Sequence, residues 1–384
     1  MLVTMRADLK NKIIISIAVV VPFLGVLMAI WLSWQRFVFA SDILLLLGMY
    51  SLTALGVTIG YHRMLTHDGF KSSTPIRAIF LILGCMAFAG SRPDEWAATH
   101  IKHHAHSDEE GDPHSPLEGF WHSHMGWMFS LSSFADVQEY APQLLKDPVV
   151  MFVSKTSLLW AILGFLIPFL TGGWTGLLWG GVVRLFVTTH ATWSVNSVCH
   201  VFGSRAYETT DESRNEWIVG LIGFGEGWHN NHHAFPRNAF HGMRWWQFDL
   251  SGLIIRVMES FGLVWDVQRV SKDTAEAHRI HALTMQESLA QIRAQLSLKI
   301  SNAQDELLTF LEKHSTHPAP DIRVSDMAAS CQDAANRLQE IRENITRAAH
   351  LKKQRLLRYM HEVQEIADQA KVRIALATAQ AVSS

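Results

Sequence analysis

The histidines constrain this chain most, because they gather in four short stretches separated by apolar runs. The stretches are H-R-M-L-T-H (His62, His67), H-I-K-H-H (His100, His103, His104), N-S-V-C-H (Asn196, His200) and W-H-N-N-H-H (His229, His232, His233). An α-helix turns by about 100° per residue, so positions i, i+3 and i+4 share a face. His100, His103 and His104 can therefore point together, with the adjacent pair diverging far enough to serve two different metals. His229, His232 and His233 repeat that pattern, and Asn196 and His200, four apart, also share a face. His62 and His67 are five apart, splayed by roughly 140° on a regular helix. The helix that carries them is expected to end between or just around them.

A lone histidine is more often a packing or solvated residue than a ligand, but dense clusters at helical spacing are not explained that way. Nine neutral imidazoles are too many for one metal ion and suit two, with a position left for oxygen. Imidazole accepts iron, zinc, copper or nickel, so ligand type alone does not name the ion. A hydrolytic zinc site needs three protein ligands and a water, so the count favours oxygen chemistry on an apolar substrate. Ligand imidazoles usually donate their second N–H to a carboxylate or carbonyl. The loops around the clusters are rich in acids, and Asp112 and Glu226 are expected to orient ligands, with His190 close by.

The apolar runs set the topology. Ile13–Ser33, Ile43–Tyr61, Met151–Leu170 and Trp174–Val195 are each long enough to span a bilayer core of about 30 Å. The run 76–90 is short for a span. If it crossed, the second cluster would face the opposite side from the first, and one metal site cannot be assembled across a bilayer. The expected architecture is all-α: an integral membrane protein of four transmembrane helices under a helical cap that carries the clusters. Arg6, Lys10 and Lys12 before the first run, against Arg36 after it, place both termini and the site on the cytoplasmic side. Fourteen tryptophans suit interfacial belts. Arg184 lies inside the fourth run, where a charge is costly and usually paired or functional.

Beyond about residue 270 the character changes. Met285, Leu289, Ile292, Leu296, Ile300, Ala303 and Leu307 recur at three- and four-residue steps, the mark of an amphipathic helix. After a break with Pro318 and Pro320, Leu338, Ile341, Ile345 and Ala348 repeat the pattern. Residues 271–384 read as a helical extension, a hairpin for packing or self-association, appended to a membrane domain over 1–270. A net charge of −2 gives no reason to expect nucleic acid. Cys85, Cys199 and Cys331 are too widely spaced for a disulfide framework or a cysteine metal site.

The stretches G-Y-H-R-M-L-T-H, H-I-K-H-H-A-H-S-D, E-G-D-P-H-S-P, F-W-H-S-H-M-G-W, A-T-W-S-V-N-S-V-C-H and G-E-G-W-H-N-N-H-H-A-F-P resemble the membrane fatty-acid desaturases, and most closely the delta-9 acyl desaturases. The resemblance covers about residues 10–268. It implies two irons on the nine histidines, with zinc entering if the site is mis-metallated, and an asparagine at Asn196 that reaches one iron through water. It also implies O₂ as co-substrate, a kinked tunnel for a long acyl chain, and a separate ferredoxin- or b-type-cytochrome-like electron donor. No H-P-G-G haem signature marks a fused donor. Gly126-Trp127 is followed by M-F-S-L-S-S-F, without the basic residues that meet coenzyme A in animal members, so the acyl carrier is left open between a thioester and a phospholipid. The same stretches would serve a di-iron hydroxylase. A metal transporter would need ionisable residues along the spans, and the runs offer few.

Overall fold

A computed structural model describes residues 2–88, 92–279, 282–315, 322–347, 359 and 361–369. Its regular structure is helical apart from one antiparallel pair of two-residue strands, Lys71–Ser72 with Val264–Trp265, and isolated bridges. It divides into two compact units, Met1–Arg279 and Ile280–Ser384.

In the first unit, α1 (Leu2–Trp34) and α2 (Ala40–Leu55) begin the fold. Three helical stretches are long and apolar enough to cross a membrane: Asp8–Trp34, Ala40–Thr66 and Ser157–Val201. The third, of 45 residues, is two helices rather than one. At Gly173 the backbone turns to φ 62° and ψ −146°, a left-handed region that glycine enters without a side-chain clash. Arg184 Nη2 then reaches Gly164 O at 3.1 Å although twenty residues separate them, about 30 Å along a straight helix. The chain has reversed, and the two arms pack on each other. The run Met151–Leu170 is also interrupted. A helix Pro148–Lys155 stops at Thr156, whose hydroxyl donates to Phe152 O and accepts from Trp160 Nε1.

Large apolar side chains on these stretches, including Ile13, Ile17, Leu24, Leu44, Leu159 and Ile162, lie on the outside, the inverse of a water-soluble surface. Arg184 is fully buried and donates to the carbonyls of Met86, Ala87, Gly164 and Gly180. Backbone oxygens therefore hold its charge, which supplies the partner that the apolar run left unnamed.

α3 (Thr74–Ala87) is the short apolar helix. Fourteen residues rise about 21 Å, less than a hydrocarbon core. Phe80, Leu81 and Cys85 bury it against the end of α2. The approach is close: a methyl group on Gly56 would lie 2.2 Å from Gly84 N.

The second unit is described by itself. Ala282–Ser315 and Ile322–Arg347 pack through Leu296, Ile300, Ala303 and Leu307 against Leu338 and Ile341, joined by Val363 and Ile366. The stripe is thus covered by its own chain. Pro318, Pro320 and Ala348 lie outside the described residues, and the side chains of Met285, Leu289 and Ile345 are not described.

Candidate metal centre

The helix that carries His62 and His67 ends between them, as their spacing predicts, but it does not stay regular: it widens into a π-helical segment, Gly56–Thr66, with His67 as its cap and His67 N donating to His62 O at 3.2 Å. An i→i+5 ladder brings residues five apart back onto one side. His62 and His67 therefore face each other, with ring centroids 4.9 Å apart, where a regular helix would have splayed them. α4 (Pro93–His106) presents His100, His103 and His104. Ser157–Val201 delivers His200 near its end, and the short helix His229–Ala234 supplies the last three.

These nine side chains form two adjoining groups. One is His62, His67, His100, His104 and His232; the other is His103, His200, His229 and His233. In each, one nitrogen per ring lies within 4.8 Å of all the others. The sequence-adjacent pairs His103–His104 and His232–His233 contribute one ring to each group. The groups touch through His104 and His233, which stack at 4.4 Å.

The nitrogens fit a cation between them. Nε2 of His104 lies 3.1 Å from that of His100 and 3.0 Å from that of His232; His62 and His232 are 3.1 Å apart, and His200 and His229 3.0 Å. Two ligands at right angles, each about 2.1 Å from one ion, stand about 3 Å apart. Nε2 of His67, His103 and His233 is buried with no hydrogen-bond partner.

Carboxylates fix which nitrogen faces inward. His103 Nδ1 is 2.9 Å from Asp112, His200 Nδ1 3.0 Å from Asp108, and His233 Nδ1 2.6 Å from Asp211; His62 Nδ1 pairs with Glu226. A ring that donates from Nδ1 leaves its Nε2 lone pair toward the group. Converging lone pairs repel unless a cation or proton lies among them. Burial pushes His67, His100, His104, His229 and His232 well below the ordinary imidazole value, and His233 to about 4, so protons are disfavoured there. Burial alone would raise the Asp112 and Asp211 carboxyls, but the facing imidazoles outweigh it and hold both below the usual carboxylate range.

Asp112 and Glu226 thus stand where the sequence places orienting acids. His190 does not join either group: its Nδ1 lies 3.0 Å from His124 Nε2, and its ring packs on Phe186 and Trp193. Asn196 shares with His100 the wall of an apolar cavity of about 440 Å³. A smaller space is also bounded by His100 and Asn196, and by His62, Tyr50 and Gly223.

Sequence reasoning missed the partners Asp108 and Asp211, although both lie in the acid-rich loops. It also missed Arg63, buried and bound to Glu226 and Asp249, and His241, a tenth imidazole 1% exposed with its ring 4.5 Å from His232.

Fold and site together define a helical protein with two adjoining all-nitrogen groups, suited to metal ions, one of which meets an apolar cavity at His100. The family model "Fatty acid desaturase" matches residues 32–256, more than half of the chain, and the protein belongs to that family. A hex-5-enoyl-[acyl-carrier protein] acetylenase of Moorena producens is 39% identical over 68% of this chain and 87% of its own length. An sn-1 stearoyl-lipid 9-desaturase of Anabaena variabilis is 42% identical over 57% and 80%. An acyl-CoA 5-desaturase of Anemone leveillei is 38% identical over 64% and 75%. The chain is an oxidoreductase of the acyl-desaturase type.

Proposed function

We propose that this protein inserts a cis double bond, at the delta-9 position, into a long saturated acyl chain, using O₂ and two irons. The observation that carries the reading is the adjoining pair of histidine groups, five and four imidazoles, the first of which reaches an apolar cavity through His100. His62, His67, His100, His104 and His232 would hold one iron. His103, His200, His229 and His233 would hold the other, with Asn196 reaching it through water. Bound there, the pair would supply the O₂-derived oxidising power that an unactivated methylene C–H bond requires.

The chain's own residues do the rest. Asp108, Asp112, Asp211 and Glu226 lock ring orientation, and Arg63 braces Glu226 with hydrogen bonds of 3.0 and 3.3 Å. The cavity wall, with Trp96, Leu185 and Trp193, excludes water and fixes which carbons lie beside His100 and Asn196. The delta-9 position rests on the resemblance and on the Anabaena relative's named position. The two arms of Ser157–Val201, with α1 and Ala40–Thr66, make four crossings, the site facing the cytoplasm. The appended helical unit begins at Ile280 rather than at 271, since residues up to Arg279 pack with the first unit, and electrons come from a separate ferredoxin- or b-type-cytochrome-like donor.

The test is the fatty-acid profile of cells expressing the protein or its His103→Ala variant. A new monounsaturated acid, lighter by two hydrogens and absent with the variant, supports the reading. A hydroxylated product, or a triple bond made from a supplied alkene, would replace it with hydroxylation or with the acetylenase chemistry named for the Moorena relative.

A further inference from the structure

Between Ser157–Val201 and the helix His229–Ala234 the chain carries an apolar stretch, W-I-V-G-L-I-G-F-G over 217–225, with no ionisable side chain between Glu216 and Glu226. Its first six residues form a short helix, Trp217–Ile222, which Glu216 caps by accepting from Val219 N at 2.8 Å. Glu216 N donates to Gly227 O at 2.8 Å, so the stretch leaves and returns at one point and is a hairpin. Val219 packs on Val195 and Cys199, near the end of Ser157–Val201. Trp217, Ile218, Leu221 and Ile222 share another face of the helix and are exposed. Contiguous apolar surface of this kind marks a contact rather than water.

The hairpin's depth is measured by Ala40–Thr66. Its neck lies at the metal-holding end of that helix, where Glu226 meets His62. Its tip lies further down, where the Tyr50 hydroxyl donates to Ile222 O and the Tyr50 and Phe224 rings stand 5.5 Å apart. Tyr50 precedes His62 by twelve residues, about 18 Å along a helix. It follows Ala40 by ten, about 15 Å, close to half of a hydrocarbon core of about 30 Å. The span exposes Leu44, Leu47 and Leu52 around Tyr50, so both elements present apolar surface at the same depth. Hydrocarbon tolerates irregular backbone only where its polar groups are paired or line a cavity. At the tip Gly223 N donates to Val219 O and Gly225 N to Gly220 O, while Tyr50 serves Ile222 O and Ser251 N serves Phe224 O.

We propose that residues 217–224 enter the bilayer from the cap side as a re-entrant hairpin whose outer face meets lipid tails. Tyr50 makes that depth possible, because it satisfies a carbonyl at the end of the short helix where no water can. Gly223 and Tyr50 both line the smaller space, so the hairpin is also the wall between that space and the lipid. This inference rests on the membrane-span reading and is independent of the reaction catalysed.

The experiment uses the full chain in phosphatidylcholine vesicles, with Cys331→Ser so that the remaining native thiols, Cys85 and Cys199, are buried. Leu221→Cys and, as a second position on the same face, Ile218→Cys each carry a nitroxide. Leu47→Cys marks the span, and Glu110→Cys, at an exposed position of the cap, marks water. Electron paramagnetic resonance compares collisions with O₂, which concentrates among lipid tails, and with a water-soluble nickel chelate. Hydrocarbon excludes a polar chelate, so nickel collisions at Leu221 should be at least about tenfold fewer than at Glu110, and O₂ collisions should match those at Leu47. Tyr50→Phe keeps the ring and removes the donor, and should raise nickel collisions at Leu221 as the tip withdraws. Nickel access at Leu221 and Ile218 equal to that at Glu110, with Leu47 still shielded, overturns the hairpin and leaves the spans and the desaturase reading standing. Nickel access at Leu47 removes the spans, and this inference with them. A Leu221 label as well shielded with Tyr50→Phe as without it overturns the part given to Tyr50.

Discussion

Replacing Asp112 by asparagine separates orientation from ligation, because the side chain lies outside both histidine groups. Its Oδ1 accepts from His103 Nδ1 at 2.9 Å and from His114 N at 3.1 Å, and its Oδ2 accepts from Asp108 N at 2.9 Å. Asparagine keeps the shape and loses the charge, and whichever way the amide is turned, its NH₂ faces a donor. Partners of this kind are worth about 10–100-fold in metal affinity, which is about 1.4–2.8 kcal/mol. The assay is chelator competition on purified protein, with bound metal counted by mass spectrometry. One of the two ions, the one beside His103, should leave at chelator concentrations about 10–100-fold lower than in the wild type, and the other should hold. Asp136→Asn, which keeps a capping oxygen on a four-residue helix away from the histidines, serves as the control and should change neither. Equal release of both ions from Asp112→Asn and wild type would refute the claim that this carboxylate sets the ring.

Acidification supplies a second prediction. His233 and His124 both lie at about 4 in the fold, against about 6.5 unfolded. The unfolded chain binds more protons between those values, so the metal-free protein should lose stability as pH falls from about 6.5 toward 4, read as a falling Tm. A metal-free Tm that stays flat across that window contradicts the buried neutral imidazoles. Metal affinity should fall over the same range, since the ligands must be neutral. Tyr50 lines the smaller space and donates to Ile222 O, so if the acyl chain extends against it, Tyr50→Ala should shift product toward longer acyl chains, by about tenfold in the ratio of long to short. An unchanged chain-length profile would mean that the chain does not reach Tyr50. In the second unit, Leu296→Ala should cost about 2–5 kcal/mol of that unit's unfolding free energy, since Leu296 is fully buried. A loss under about 0.5 kcal/mol would show that the packing around Leu296 does not stabilise the unit.

The placing of His100, His103 and His104 together on one helix was legible because it depends on the 3.6-residue period alone. The same period rightly ended the helix between His62 and His67 but did not show the widening that brings their rings together. The widened segment follows from Gly56 and Gly60 meeting α3 at backbone distance, a tertiary contact that no local pattern records. Asp112 was within reach, nine residues from His103. Asp108 meets His200 across 92 residues, so its pairing exists only in the fold, and the same holds for Arg63 with Glu226 across 163. His190 looked close by its place in the helix but lies with His124, because ten residues along that helix are about 15 Å from His200. The reversal at Gly173 was signalled by Gly172-Gly173, whereas the break at Thr156 had no comparable marker.

The most direct measurement is the number of metal ions bound per purified full-length chain, for the wild type and for variants His67→Ala and His229→Ala, each aimed at one histidine group. The two-group centre predicts two ions in the wild type, with each variant losing first the ion of its own group. One ion or none in a folded, iron-supplied wild type, or two ions in both variants, would contradict it.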